Sequence, residues 1–187
     1  MARRVFLDAC VLYPPLVRGI LLRLAEAGLF EPCWSPRVLD EWRIASARNG
    51  GIESEARAAD MIAMMEARFP DASFAPDPEV ERALDLPDSA DNHVLAAAIA
   101  ARAEVLLTFN VRDFPTRRLA AHGIAPRHPD GFLWEHFSHA PELVDGAIRV
   151  AAAIAGVAEV DAIHRALRRA HLHRLAKAWR SRLRWEG

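Results

Sequence analysis

The sequence predicts an α/β domain with a parallel sheet, followed by a helical segment. Three observations carry this. Val5-Phe6-Leu7 and Val105-Leu106-Leu107-Thr108-Phe109 are apolar runs without alternation, which suits strands buried on both faces of a parallel sheet. Between them lie stretches with helical spacing of apolar residues, as crossover connections require. After Pro141 the 187-residue chain has no further proline, and helical patterns fill the remainder.

The elements follow in order. The first strand ends at Asp8. Pro14-Pro15 marks a turn, and Pro15 can open a helix because its missing N–H is one that a first turn leaves unpaired. Leu16, Ile20, Leu21, Leu24 and Ala27 continue that helix until Gly28. Residues 30–34 read as a second strand. Ser35-Pro36 reads as an N-cap and first helical position, opening a helix through Val38, Leu39, Trp42 and Ala45 that breaks at Asn49-Gly50-Gly51. A third helical pattern covers 53–69. Pro70, Pro76 and Pro78 frame an irregular stretch with a short strand near 72–75. Pro87-Asp88-Ser89 is a turn and cap before an Ala-rich helix over about 90–102. The strand 105–109 follows. Pro115 starts a short helix ending at His122-Gly123, residues 124–128 read as a last strand, and Pro129-Asp130-Gly131 as a turn. Two helices are expected over 142–155 and 159–183.

Composition narrows the class. Hydrophobic residues make up 52% and charged residues 26%, which excludes wholesale disorder. The length is enough to bury a core without disulfides or a structural metal. The longest apolar stretches, near 94–101 and 150–158, fall well short of a bilayer span. Arg3, Arg4 and Asp8 interrupt the N-terminus before a signal-peptide core can form. Cys10 and Cys33 match no metal-ligand spacing. The expected setting is a reducing, cytoplasmic one. The net charge of −1 hides an asymmetry: residues 164–187 hold eight Arg/Lys and one acid, a net +7, and residues 1–163 carry −8. That basic segment reads either as a solvated helix face or as a surface for phosphates or a partner.

Acids stand where packing gives them no reason to be. Asp8 follows a buried strand, and in open α/β sheets ligands bind beyond the carboxyl ends of strands; it also suits a loop-capping turn. At 100° per residue, Glu41 falls at about 300° from Val38, beside the apolar face, whereas Asp40 falls at about 200°, facing away. Asp91 opens the Ala-rich helix, where an acid also complements the helix dipole and Asp88-x-x-Asp91 resembles a capping box. Asn110 and Asp113 lie just past the strand 105–109, again at turn-favouring positions. In an α/β domain these places can converge on one sheet edge. Carboxylates gathered in a cleft repel one another unless a cation neutralises them, and an all-oxygen site suits Mg²⁺ or Mn²⁺ rather than zinc.

Four segments in order carry a resemblance: Val5-Phe6-Leu7-Asp8-Ala9-Cys10-Val11-Leu12, Leu39-Asp40-Glu41-Trp42, residues 86–98 from Leu86-Pro87-Asp88-Ser89-Ala90-Asp91 onward, and Leu107-Thr108-Phe109-Asn110-Val111-Arg112-Asp113-Phe114-Pro115. Over roughly residues 3–130 the chain resembles the PIN-domain family, including the VapC-type ribonuclease toxins. The resemblance implies a PIN-like three-layer domain over 1–138, with a central parallel sheet flanked by helices, and a C-terminal helical extension over 139–187. It implies a metal-dependent endoribonuclease, the toxin of a type II toxin–antitoxin pair, in which Asp8, Glu41 and Asp91 bind Mg²⁺ or Mn²⁺ and water attacks the phosphodiester in line, leaving a 5′-phosphate and a 3′-hydroxyl. The family's fourth acid is here replaced by Asn110, with Asp113 three residues on, so these complete the expected catalytic set. Thr108 and Arg112 are the expected substrate contacts. RNA, a cognate antitoxin and a second copy of the chain are the expected partners, with no membrane.

Other readings compete. A haloacid-dehalogenase-type phosphatase needs a second Asp where Cys10 stands, and a flap-endonuclease-like enzyme needs more acids and more chain. A PIN scaffold that binds RNA or a protein without cutting stays open because of Asn110. His164, His171 and His173 match no zinc spacing and read as surface or packing residues. Trp179 and Trp185 read either as base-stacking groups or as buried positions of an amphipathic helix.

Overall fold

The computed structural model describes residues 2–183. In chain order its elements are β1 (Arg4–Leu7), α1 (Ala9–Leu12), α2 (Pro15–Glu26), β2 (Glu31–Cys33), α3 (Pro36–Arg68), α4 (Pro78–Ala83), α5 (Asn92–Ala100), β3 (Val105–Leu107), α6 (Thr116–Ala120), β4 (Ala125–Arg127), α7 (Pro129–His139), α8 (Pro141–Ile154), α9 (Val160–Arg169) and α10 (His173–Leu183), with single 3-10 turns at Ser89–Asp91 and Val111–Asp113. They form two compact units, one of residues up to 13 with 30–127, the other of 14–29 with those from 128 onward.

The first unit is α/β. Its four strands are all parallel in the order β2-β1-β3-β4. The central pair, β1 and β3, is the pair whose apolar runs do not alternate. Val5, Phe6, Leu7, Leu106 and Leu107 are fully buried and Val105 nearly so, as strands covered on both faces must be. The two outer strands each carry a proline, Pro32 and Pro126. Proline lacks the N–H that a central strand must donate, so it belongs at a sheet edge. Beyond β2 the expected strand near 72–75 is reduced to one bridge between Trp34 and Ser73. Along α3, Ser35 accepts from Val38 N–H as the N-cap. The helix is broken at Gly51, whose φ of 67° lies in the left-handed region that glycine tolerates.

The second unit is helical. Helices α2 and α8 pack closely: a Cβ added at Gly19 would meet the Ala151 Cβ at 3.0 Å. Trp179 is fully buried and donates its Nε1–H to Asp145 at 2.6 Å, so it packs the helices and is closed to base stacking. Trp185 lies outside the described residues. The helix Pro15–Glu26 groups with the C-terminal helices, and the second unit resumes at residue 128.

Two expectations failed locally. Pro129-Asp130-Gly131, expected as a turn leading away from the last strand, is instead the first turn of α7. Pro129 occupies an early helical position, Asp130 sits in the first turn, and the His128 ring accepts from the Asp130 N–H at 3.1 Å, an assembly that starts a helix. The single helix expected over 159–183 is two, α9 and α10, separated where His171 adopts a φ of 58°. The Asp130 carboxylate accepts from the N–H groups of Arg174 and Leu175, both at 2.9 Å, capping the start of α10 from a distant part of the chain. No helix among the described residues is long and apolar enough to cross a membrane.

Candidate metal and nuclease site

The sheet order places the site. The chain leaves β1 for β2 on one side and later returns to pair β3 on the other. That reversal is a switch point, the place where open α/β sheets bind ligands beyond the strands' carboxyl ends. Asp8 follows β1 and Thr108 follows β3 at this point. The Asp8 N–H donates to the Leu107 carbonyl at 3.1 Å, so the ladder runs one residue past β1 and fixes the Asp8 backbone.

Asp8 is 8% exposed. Its Oδ2 accepts from the Thr108 hydroxyl at 2.7 Å and from the Cys10 thiol at 3.0 Å, while Oδ1 accepts no hydrogen bond among the described residues. Thr108 in turn accepts from the Asn110 N–H at 3.0 Å, and Cys10 from the Phe109 N–H at 3.2 Å. Burial first, and then the adjacent Asp8 carboxylate, push the Cys10 thiol up to about 12. It therefore stays protonated and acts as a donor to Asp8 rather than as a nucleophile. Thr108 is fully buried. Its hydroxyl is committed to Asp8 and the Asn110 backbone, so it holds the acid instead of presenting itself to a phosphate.

Asp91 closes the 3-10 turn that leads into α5. Asp88 Oδ1 accepts from Ala90 N–H at 2.9 Å and starts that turn, so the expected reciprocal capping box is replaced by a tighter one-sided cap. Asn92 anchors the approach, accepting from Leu86 N–H at 3.2 Å and donating to the Leu84 carbonyl at 2.9 Å. The Asp91 side chain makes no capping hydrogen bond. Its carboxyl is pushed up to about 6 from the ordinary 3.8, first by burial and then by Asp8, Asp113 and Asp88, with His93 opposing. Asp8, Asp113 and Asp88 each lie near enough to Asp91 for their charge to oppose its ionisation. Asp113 arrives through the 3-10 turn Val111–Asp113, where its N–H donates to the Asn110 carbonyl at 3.0 Å.

Glu41 is held differently. Its Oε1 lies 2.9 Å from Nε2 of His93 and 3.6 Å from Nε of Arg37. It is not among the acids that raise Asp91. His93 is 2% exposed, and its Nδ1 is buried without a hydrogen-bond partner among the described residues. Asn110 and Arg112 are exposed on the loop after β3. Asp40 faces solvent, as its helical angle requires, and pairs with Arg43 at 3.5 Å.

Sequence reasoning missed Cys10 and His93. Both flank expected acids, but the signal for their roles is a tertiary distance. Among the described residues no three or more His, Cys, Asp or Glu side chains stand as a ready-made metal shell. The donor chemistry nonetheless fits a hard cation. The donors are carboxylate oxygens, and Asp91 is raised first by burial and then by the charges of Asp8, Asp113 and Asp88, a charge contribution that a divalent ion would relieve.

A parallel α/β sheet with acids beside its switch point defines a class of α/β domains with an acidic candidate site. Within that class, a PIN domain family model matches residues 4–112, more than half of the chain. The chain belongs to the PIN domain family. A protein of Mycobacterium tuberculosis (strain ATCC 25618 / H37Rv) named "Putative ribonuclease VapC50" is 51% identical over 43 residues, 23% of this chain and 25% of that protein. The chain thus matches about a quarter of this relative's length. No solved structure matches it at a significant level.

Proposed function

We propose that this protein is a metal-dependent endoribonuclease, the toxin of a type II toxin–antitoxin pair, acting in the cytoplasm. The observation that carries the reading is the placement of Asp8 at the switch point of a PIN-domain sheet, held there by Thr108, with Asp91 and Asp113 close enough for Asp8 and Asp113 to oppose the ionisation of Asp91. The name of the mycobacterial relative, a ribonuclease, supports RNA as the substrate, and the resemblance to VapC-type toxins implies an antitoxin as the partner. A homodimer is part of the same proposal.

Asp8, Asp91 and Asp113 would hold Mg²⁺ or Mn²⁺, with Glu41 joining once released from His93. When bound, the ion supplies charge neutralisation and activation of a water for phosphodiester hydrolysis. The chain's own residues do the positioning. Thr108 and Cys10 occupy Oδ2 of Asp8 and so restrict its rotation. The cap at Asp88 fixes the turn that presents Asp91. His93 holds Glu41 at the rim. Arg112, exposed beside Asp113, is placed to meet a phosphate, and Asn110 offers a neutral amide where a further carboxylate would add repulsion.

The test is cleavage of a mixed structured RNA pool by the purified chain with Mg²⁺, Mn²⁺ or EDTA, beside Asp8→Asn and Asp91→Asn. Metal-dependent cuts absent from both variants support the reading. No cleavage by the folded, partner-free protein in either metal would sink it. A second reading, a PIN scaffold that binds without cutting, is favoured by the pairing of Glu41 with His93 and Arg37. RNA binding indifferent to metal and to Asp8→Asn would select it.

A further inference from the structure

We propose that the outward face of α9, continuing into α10, is a second nucleic-acid surface that binds the backbone of single-stranded RNA without metal. The proposal rests on the reading of RNA as this protein's substrate, and it assigns a partner to a region outside the matched PIN domain.

In α9, Ile163 and Leu167 are buried and Arg165, Arg168 and Arg169 are exposed. At 100° per residue the three arginines fall within an arc of about 100° opposite the buried pair. Three acids of this helical unit are held in ion pairs, while Glu159 just before α9 is exposed. Asp161 pairs with Arg180 at 2.5 Å, Glu142 with Arg182 at 2.7 Å, and Asp145 with Arg149 at 2.9 Å. Arg165, Arg168, Arg169 and the exposed Lys177 make no ion pair among the described residues. The resulting positive field acts on His164, which is held below its ordinary value by burial and then by Arg180, Arg168 and Arg165.

Two features point to a nucleic acid rather than an acidic protein. The outward arc of α9 carries no large apolar side chain that could anchor a protein partner, and guanidinium forks match phosphate oxygens in pairs. At the start of α10, Arg174 stacks 4.2 Å over the ring of Trp134, itself 37% exposed. A guanidinium on an accessible indole is a platform for an unpaired base.

The experiment is fluorescence anisotropy of a labelled single-stranded RNA 20-mer with the full chain in EDTA, so that cleavage does not interfere. Four phosphate contacts give a slope of log affinity against log salt of about −2.8, or about a 50-fold loss between 50 and 200 mM salt. The triple variant Arg165→Gln, Arg168→Gln, Arg169→Gln, with an unchanged melting temperature, should lower the slope to about −0.7 and weaken binding at least tenfold at low salt. Trp134→Ala should weaken binding about tenfold at an unchanged slope. Wild-type affinity and slope in the triple variant would overturn the proposal. So would poly-glutamate of matched length binding as tightly as RNA and losing that binding in the same variant, which would assign the face to an acidic protein. Because binding is read without metal, cleavage that survives alongside unaffected binding refutes this surface alone. Binding lost in the triple variant of a protein that never cleaves refutes the nuclease reading alone.

Discussion

Asp91→Asn should stabilise the metal-free protein while abolishing its activity. The Asp91 carboxyl is pushed up to about 6 from 3.8. A rise of roughly two units corresponds to at most about 3 kcal/mol of penalty on the ionised folded state. Asp91 is only partly buried, so screening by solvent reduces this to about 1 kcal/mol. Little is lost in exchange, because the Asp91 side chain makes no capping hydrogen bond and Asn serves equally well at a helix start. The sign follows from linkage. The folded state binds the extra proton, so Asp91 contributes stability at low pH that is lost as pH rises through about 6. The advantage of Asp91→Asn is therefore full at pH 7.5 and fades toward pH 4. In EDTA at pH 7.5 the variant should melt about 2–4 °C above wild type. Added Mg²⁺ should raise the wild-type transition by mass action and leave the variant nearly unmoved. A variant that melts at or below wild type in EDTA, or a difference that does not change between pH 7.5 and 4.5, would refute the account of charge crowding.

Three further outcomes are expected. Thr108→Val removes the donor to Asp8 and the acceptor for Asn110 N–H, costing about 1–3 kcal/mol in urea unfolding and most of the RNA cleavage, whereas Thr108→Ser keeps both. Cys10 and Cys33, both pushed up to about 12 mainly by burial, should resist iodoacetamide at pH 8 in the native protein and react on unfolding; rapid native labelling of either would contradict their placement. Asp130→Ala strips the cap of α10 and leaves two backbone N–H groups without their acceptor, so stability should fall by about 2 kcal/mol, measurable as a shift in the urea midpoint at constant slope.

Local chemistry made part of this legible. Val5-Phe6-Leu7 and Val105-Leu106-Leu107 announce two doubly buried strands because a parallel sheet covered on both faces has no solvent side to alternate toward. The acid directly after the first strand, Asp8, was visible for the same reason. Gly51 and Ser35-Pro36 marked helix boundaries through their own backbone preferences. Pro129 misled, since Pro-Asp-Gly serves a turn and a helix start alike, and the deciding bond comes from the His128 ring.

The class is legible from the chain alone: an α/β domain of the PIN family with Asp8 and Asp91 at the ends of its strand and turn, and an arginine-rich C-terminal segment. Those are statements about residue type, order and spacing. The tertiary structure decided the rest. It placed β3 rather than β2 beside Asp8 on the switch-point side. It gave Thr108 and Cys10 to the same carboxylate oxygen, tied Glu41 to His93, and brought Asp113 into the field of Asp91. It split the last helix at His171 through a cap supplied by Asp130, and it grouped residues 14–29 with the C-terminal helices. Each depends on a contact between residues far apart in the chain, and no local propensity encodes which distant partner a buried polar group will meet.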